Sequence, residues 1–128
     1  MANREVEKAQ HAHPEGETLF EKIINKEIPA EFVYEDEQCV VFHDVNPQAP
    51  THLLVVPRKP IPQLSKADDG DQDLLGHLLI TARNVALGKG FDRTGFRLVI
   101  NDGRHGAQSV YHLHVHILAG RQMKWPPG

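Results

Sequence analysis

Apolar and polar side chains alternate most clearly near the C-terminus, in Ser109-Val110-Tyr111-His112-Leu113-His114-Val115-His116-Ile117-Leu118. A β-strand sends successive side chains to opposite faces. The pattern therefore predicts a strand over Val110 to Ala119, with His112, His114 and His116 on one face and Leu113, Val115 and Ile117 on the other. Further short apolar runs predict strands at Phe32–Tyr34, Cys39–His43, His52–Val56 and Phe96–Ile100. The run His52–Val56 is continuous, as expected of a strand buried on both faces. Two helices are expected. Leu19, Phe20, Ile23 and Ile24 follow a Thr18/Glu21 capping box, and Pro29 stops that helix near Glu27. Leu74, Leu75, Leu78, Leu79, Ala82, Val85 and Ala86 trace one face of a longer helix, with acidic residues Asp68 to Asp73 at its start. Asn46 to Pro50 and Asn101 to Gln108 read as loops. Residues 1–17 are polar and aperiodic and are expected to be a disordered leader, including the His11/His13 pair. Short connections favour antiparallel pairing. The expected fold is α+β, with about five antiparallel strands and two main helices on the sheet.

A length of 128 residues suits one domain, assigned to residues 18–128, and the 40% hydrophobic and 24% charged content is that of a globular chain. The net charge of −3 argues against nucleic-acid binding by bulk electrostatics. No apolar run reaches bilayer length, so no membrane partner is expected. With Cys39 as the single cysteine, no intrachain disulfide can form. The expected compartment is the cytoplasm, with the nucleus as a second location.

The histidine face needs a purpose. Same-face neighbours on a strand stand roughly 6.5–7 Å apart, which suits several groups acting on one small ligand. Three readings are open: a zinc site, since three ligands and an open position are common in catalytic zinc; packing without chemistry; or a nucleophile with proton-handling partners, since neutral imidazole can attack phosphorus and form a covalent intermediate. The flanking residues favour phosphate. Gly103 and Gly106 let backbone N–H groups approach an anion, and Asn101, Gln108 and Ser109 add polar groups.

The stretch His112-Leu113-His114-Val115-His116-Ile117-Leu118 resembles the His-φ-His-φ-His-φ-φ signature (φ apolar) of the histidine triad superfamily. The rest of residues 18–128 is similar to its Hint branch, the histidine triad nucleotide-binding proteins. That similarity is carried by Phe20–Ile24, Lys26–Ala30, Phe42–His52, Gly106–Tyr111 and the tail Gly120–Gly128. The resemblance implies a homodimer whose sheets join, and metal-independent hydrolysis of purine nucleoside phosphoramidates and aminoacyl adenylates to the nucleoside monophosphate, with no cofactor. It implies His114 as nucleophile, forming a nucleotidyl-histidine intermediate, and His116 and Asn101 as phosphate contacts. His52 and His112 become supporting histidines that set the nucleophile's tautomer, and Ser109 contacts the leaving amine. Asp44 accepts from the ribose hydroxyls, and Phe20, Ile23, Ile28 and Phe42 wall the base. Val45, Ala107 and Gln108 complete the substrate-binding set, with Trp125 reaching toward the partner's site. Ala107 stands where many members have a second glycine. His43 and His105 receive no catalytic role, and His77 reads as helix surface or dimer edge.

Two other functions fit the same residues. One is a nucleotide-responsive scaffold for protein partners with incidental hydrolysis. The other is hydrolysis of dinucleoside polyphosphates, as in the Fhit branch; the Trp125 tail speaks against it. Adenosine and guanosine conjugates are both admissible substrates.

Overall fold

The computed structural model describes residues 4–12 and 16–128. Its elements run α1 (Arg4–His11), α2 (Leu19–Ile24), β1 (Phe32–Glu35), β2 (Cys39–His43), β3 (Thr51–Pro57), α3 (Gln72–Gly88), β4 (Arg97–Val99) and β5 (Val115–Ala119), with two 3₁₀ turns between β3 and α3. One five-stranded antiparallel sheet, ordered β1-β2-β3-β5-β4, carries the fold. The expected α+β class, antiparallel pairing and strand number hold.

Each strand's alternation divides the buried side chains between the two faces of the sheet. Cys39, Val41, Leu53, Val55, Leu113, Val115 and Ile117 form one core with Leu78, Ala82 and Ala86 of α3. Val40, Phe42, Leu54 and Val56 form the other with Phe20 and Ile23 of α2. β3 lies in the middle and is buried on both faces, as its unbroken apolar run requires.

Several boundaries differ from the expectation. α2 ends at Ile24, because Lys26 takes a φ of 62° that a right-handed helix excludes. Its start is as expected: Thr18 Oγ1 accepts from Glu21 N at 3.1 Å. On α3, Leu79 is exposed rather than core-facing. The triad strand begins five residues late, at Val115. Leu113 N donates instead to Ile61 O at 2.7 Å, so the segment before the ladder is pinned to the β3–α3 connection. The alternation of faces nevertheless persists through it.

Residues 4–11 of the expected disordered leader form α1; His13 lies outside the described residues. The sequence REVEKAQH is rich in helix formers, and Glu5 and Lys8 pair one turn apart at 3.4 Å. Ala9 is buried.

His77 is not free helix surface. Its Nε2 lies 2.7 Å from Asp36 Oδ2, which also accepts from Tyr34 Oη, while Asp36 Oδ1 accepts from Gln38 N and Cys39 N. Asp36 thus ties the β1–β2 turn to α3. Burial opposes its charge, but these four donors hold its carboxyl well below the usual range. Beside it, Cys39 is fully buried, and desolvation pushes its thiol up to about 11.

Candidate active site

The site forms where the histidine face of the sheet meets α2 and the loops after β2 and β4. Its tautomers follow from backbone groups whose roles are fixed. His114 Nδ1 lies 2.6 Å from His112 O. A carbonyl only accepts, so Nδ1 carries the proton and Nε2 keeps its lone pair. Gln48 N donates to His52 Nδ1 at 3.0 Å, which puts the His52 proton on Nε2. That proton goes to His116 Nδ1, 2.8 Å away. His116 is then protonated on Nε2, a buried donor with no protein partner among the described residues. A chain of fixed donors therefore runs from the Gln48 amide through His52 and ends in a free N–H. His114 offers the complementary lone pair, with its ring centroid 4.8 Å from that of His116.

All four rings are held neutral. Burial lowers the pKa of His52, His112 and His114 below the ordinary imidazole value. It does the same for His116, helped by His114 and His52, down to about 3. Phe20 supplies part of this dry environment, edge-on to His114 at 4.9 Å.

The role expected for the His112 side chain needs correction. It is the His112 carbonyl, not the ring, that sets the tautomer of His114. The ring turns away and donates from Nε2 to Pro57 O at 2.7 Å, fixing the segment to β3. The three triad rings therefore do not converge on one point, as a His₃ metal site would need.

Two connected cavities open beside His114 and His116. One, of about 560 Å³, is largely apolar and is walled by Phe20, Ile23, Ile28, Phe42 and Val45. Val45 is 94% exposed, an apolar side chain presented to the opening. The other, of about 320 Å³, is lined by His52, Asn101, Ala107 and Ser109. Asp44 borders both. Its Oδ1 accepts from Asn46 N at 2.8 Å, and its Oδ2 lies 3.5 Å from His52 Nε2. The structure thus gathers His52, His114, His116, Ser109, Asp44, Asn101, Ala107 and the five apolar wall residues around the two cavities.

Gln108 is the exception. Its side chain is buried and fully occupied: Oε1 accepts from Gly103 N, and Nε2 donates to Pro62 O and Val110 O. It is a rivet under the loop, not a ligand contact. Gly106 tightens the same loop, since a Cβ there would lie 2.4 Å from Asp102 O. Ala107 adopts a φ of 63°, the left-handed region that glycine enters more cheaply. Trp125, 82% exposed, lies outside both cavity walls, whereas Pro127 of the same tail lines the polar one.

Sequence reasoning missed four contributors. The Gln48 amide and the Pro57 carbonyl act through backbone atoms, which carry no residue-type signal. Arg121 holds Gln48 in place by donating to its carbonyl from Nε and Nη2 at 3.1 and 3.0 Å. Glu5 of α1 reaches both cavities.

This fold and histidine arrangement agree with the comparisons. The HIT domain family model matches residues 25–123, and the chain belongs to the HIT family. An uncharacterized HIT-like protein of Synechocystis is 57% identical over 112 residues, covering 88% of this chain and 97% of its own. A 14 kDa zinc-binding protein of Zea mays is 54% identical over 113 residues, covering 87% and 88%. Among solved structures, a HIT family hydrolase from Legionella pneumophila superposes with a TM-score of 0.85 at 48% identity, covering 88% of this chain and all of its own. A histidine triad nucleotide-binding protein from Candida albicans gives 0.74 at 27% identity, covering 86% and 83%.

The maize relative's name raises zinc. The tightest donor set at the site is Asp44, His52 and His116, with ligand atoms within 4.8 Å of one another. Tetrahedral zinc with bonds of about 2.0–2.1 Å spaces its nitrogens roughly 3.3 Å apart. His52 Nε2 and His116 Nδ1 are 2.8 Å apart and share a proton, so the donors as arranged do not fit the metal.

Proposed function

We propose that the protein hydrolyses purine nucleoside phosphoramidates, including aminoacyl-adenylate-type substrates, to the nucleoside monophosphate through a covalent nucleotidyl-histidine. One observation carries this reading: His114 is neutral, its Nδ1–H is tied to a carbonyl, and its Nε2 lone pair faces a cavity with room for a nucleotide. The apolar cavity takes the purine and Asp44 takes the ribose hydroxyls. The α-phosphate then rests between His114 Nε2 and His116 Nε2–H.

In the first step His114 Nε2 bonds to phosphorus as the P–N bond to the amine breaks, and the leaving amine takes up a proton from solvent water beside Ser109. In the second, water bonds to phosphorus as the P–N(His114) bond breaks, the attacking water returns one proton to solvent, and the imidazole is left neutral with its proton on Nδ1. The N–H of His116 donates to a phosphoryl oxygen in both steps, already aimed and needing no reorganisation. Burial keeps the nucleophile unprotonated at neutral pH.

Two features support a homodimer. β4 is a sheet edge with unpaired peptide groups, and the exposed Trp125 belongs to a tail held at its base by Arg97, which donates to Lys124 O at 2.9 Å. Sedimentation of the purified protein tests this.

The test of the activity is steady-state turnover of a fluorogenic adenosine tryptamine phosphoramidate, with chelator present. Chelator-resistant turnover is expected. AMP binding without turnover would replace the enzyme by a nucleotide-responsive binding protein.

A further inference from the structure

Glu5 places a carboxylate where the two cavities join. Its Oε1 accepts from Asn46 Nδ2 at 3.0 Å, and its Oε2 accepts from Ser109 Oγ at 3.2 Å. Burial resists the charge, but the bonds from Asn46 and Ser109 and the nearby Lys8 ammonium outweigh it and keep Glu5 ionised. Glu5 comes from α1, an eight-residue helix too short to persist alone in water, so its place depends on contacts with the body of the protein. Lys8 and Val6 of the same helix also line the cavities.

A nucleotide whose base fills the apolar cavity and whose phosphorus faces His114 must send its remaining substituent past Glu5. Two neutral donors there, the Ser109 hydroxyl and the Asn46 amide, are already held by a carboxylate, and the Lys8 ammonium, which also lines the apolar cavity, is paired with that same carboxylate at 3.4 Å. An anionic substituent meets like charge; a neutral or cationic amine meets an acceptor.

We propose that Glu5 is a specificity-determining residue that selects the charge of the leaving group, admitting neutral and cationic amines and rejecting phosphate-bearing groups. The inference rests on the nucleotide reading of the site. It gives a chemical reason for P–N over polyphosphate substrates that lies within this chain's own N-terminal helix.

The experiment is calorimetric binding of AMP and ADP to the full chain, to Glu5→Gln and to a chain lacking residues 1–16. Gln keeps the Oε1 acceptor for Asn46, and its Nε2 can donate to the Ser109 hydroxyl, which accepts as well as donates, so α1 stays docked while the charge goes. The parent is expected to bind AMP more tightly than ADP by on the order of tenfold, the size of one like-charge contact at a partly buried site. Both variants should lower that ratio by at least about threefold, with loss of salt dependence in the ADP term. An unchanged ratio overturns the proposal. So does an equal gain for both nucleotides, which would make α1 a steric cover only. A parent that binds no AMP would instead sink the nucleotide reading itself, so the two failures are distinguishable.

Discussion

The two faces of the sheet solve burial in opposite ways. Under α3, the strands present Leu53, Val55, Val115 and Ile117 to an apolar core in which shape and area do everything. On the α2 face, β3, β5 and the segment just before β5 present His52, His114 and His116 beside Phe42 and Leu54, and hydrogen bonds fix each ring's tautomer while leaving His114 Nε2 and His116 Nε2 for a ligand. Desolvating polar groups is costly unless they are hydrogen-bonded. The first face therefore holds the fold, and the second holds neutral imidazoles in fixed tautomers. Registry links them, because shifting β5 by one residue would exchange their contents.

The sharpest way to separate the faces is His114→Ala. Turnover should fall by about 10⁴-fold or more, the usual scale for losing a covalent nucleophile, while AMP still binds. Hydrolysis at the parent rate would remove His114 from the role. Ile117→Ala probes the other face, from within β5. Denaturant melts should show a loss of about 2–5 kcal/mol, with turnover per folded molecule largely intact. A smaller stability loss than that of a surface substitution would mean that this core is not what holds the sheet.

Gln108→Ala tests the rivet between the faces. It strands Gly103 N–H and two carbonyls, so stability should drop by about 1–3 kcal/mol. KM should rise as the loop bearing Ser109 loosens. A changed KM with no change in stability would return Gln108 to the substrate contacts.

A fourth test varies pH alone. His52, His112, His114 and His116 all have folded pKa values below the ordinary 6.5, His116 at about 3. Above pH 6.5 these rings are neutral in folded and unfolded chains alike and add nothing. As pH falls below it, the unfolded chain takes up protons that the folded chain refuses. Stability should then fall by up to about 1.4 kcal/mol per pH unit for each ring, until that ring's folded value is passed. Thermal melts from pH 7.5 to 4.5 measure the slope; a flat profile would mean that the rings are not held neutral.

Much of this was legible in the sequence, for particular reasons. β2 spans Cys39–His43 as expected, because the strand formers Val40, Val41 and Phe42 lie between turn residues. The sorting of Leu113, Val115 and Ile117 from the histidines follows from alternation alone. The late start of β5 was hidden, because the segment before it keeps extended alternation while bonding to Ile61 instead of a strand. Gln108 was misassigned because a buried amide rivet and a phosphate donor look alike as letters. The relay that sets the tautomers begins at the Gln48 backbone N–H, which any residue but proline would supply. α1 was missed because its apolar content is too low for a core stripe; its docking comes through Glu5.

Cys39 has a practical consequence. It is the sole thiol in the chain, it is sealed between β2 and α3, and its ionisation is displaced to about 11. Alkylating reagents act on thiolate, so the native cysteine is silent to maleimide chemistry at neutral pH. A cysteine introduced on the exposed side of α1 would be the only reactive one. A fluorophore attached there, without first removing Cys39, would report directly on whether α1 stays docked when a nucleotide enters.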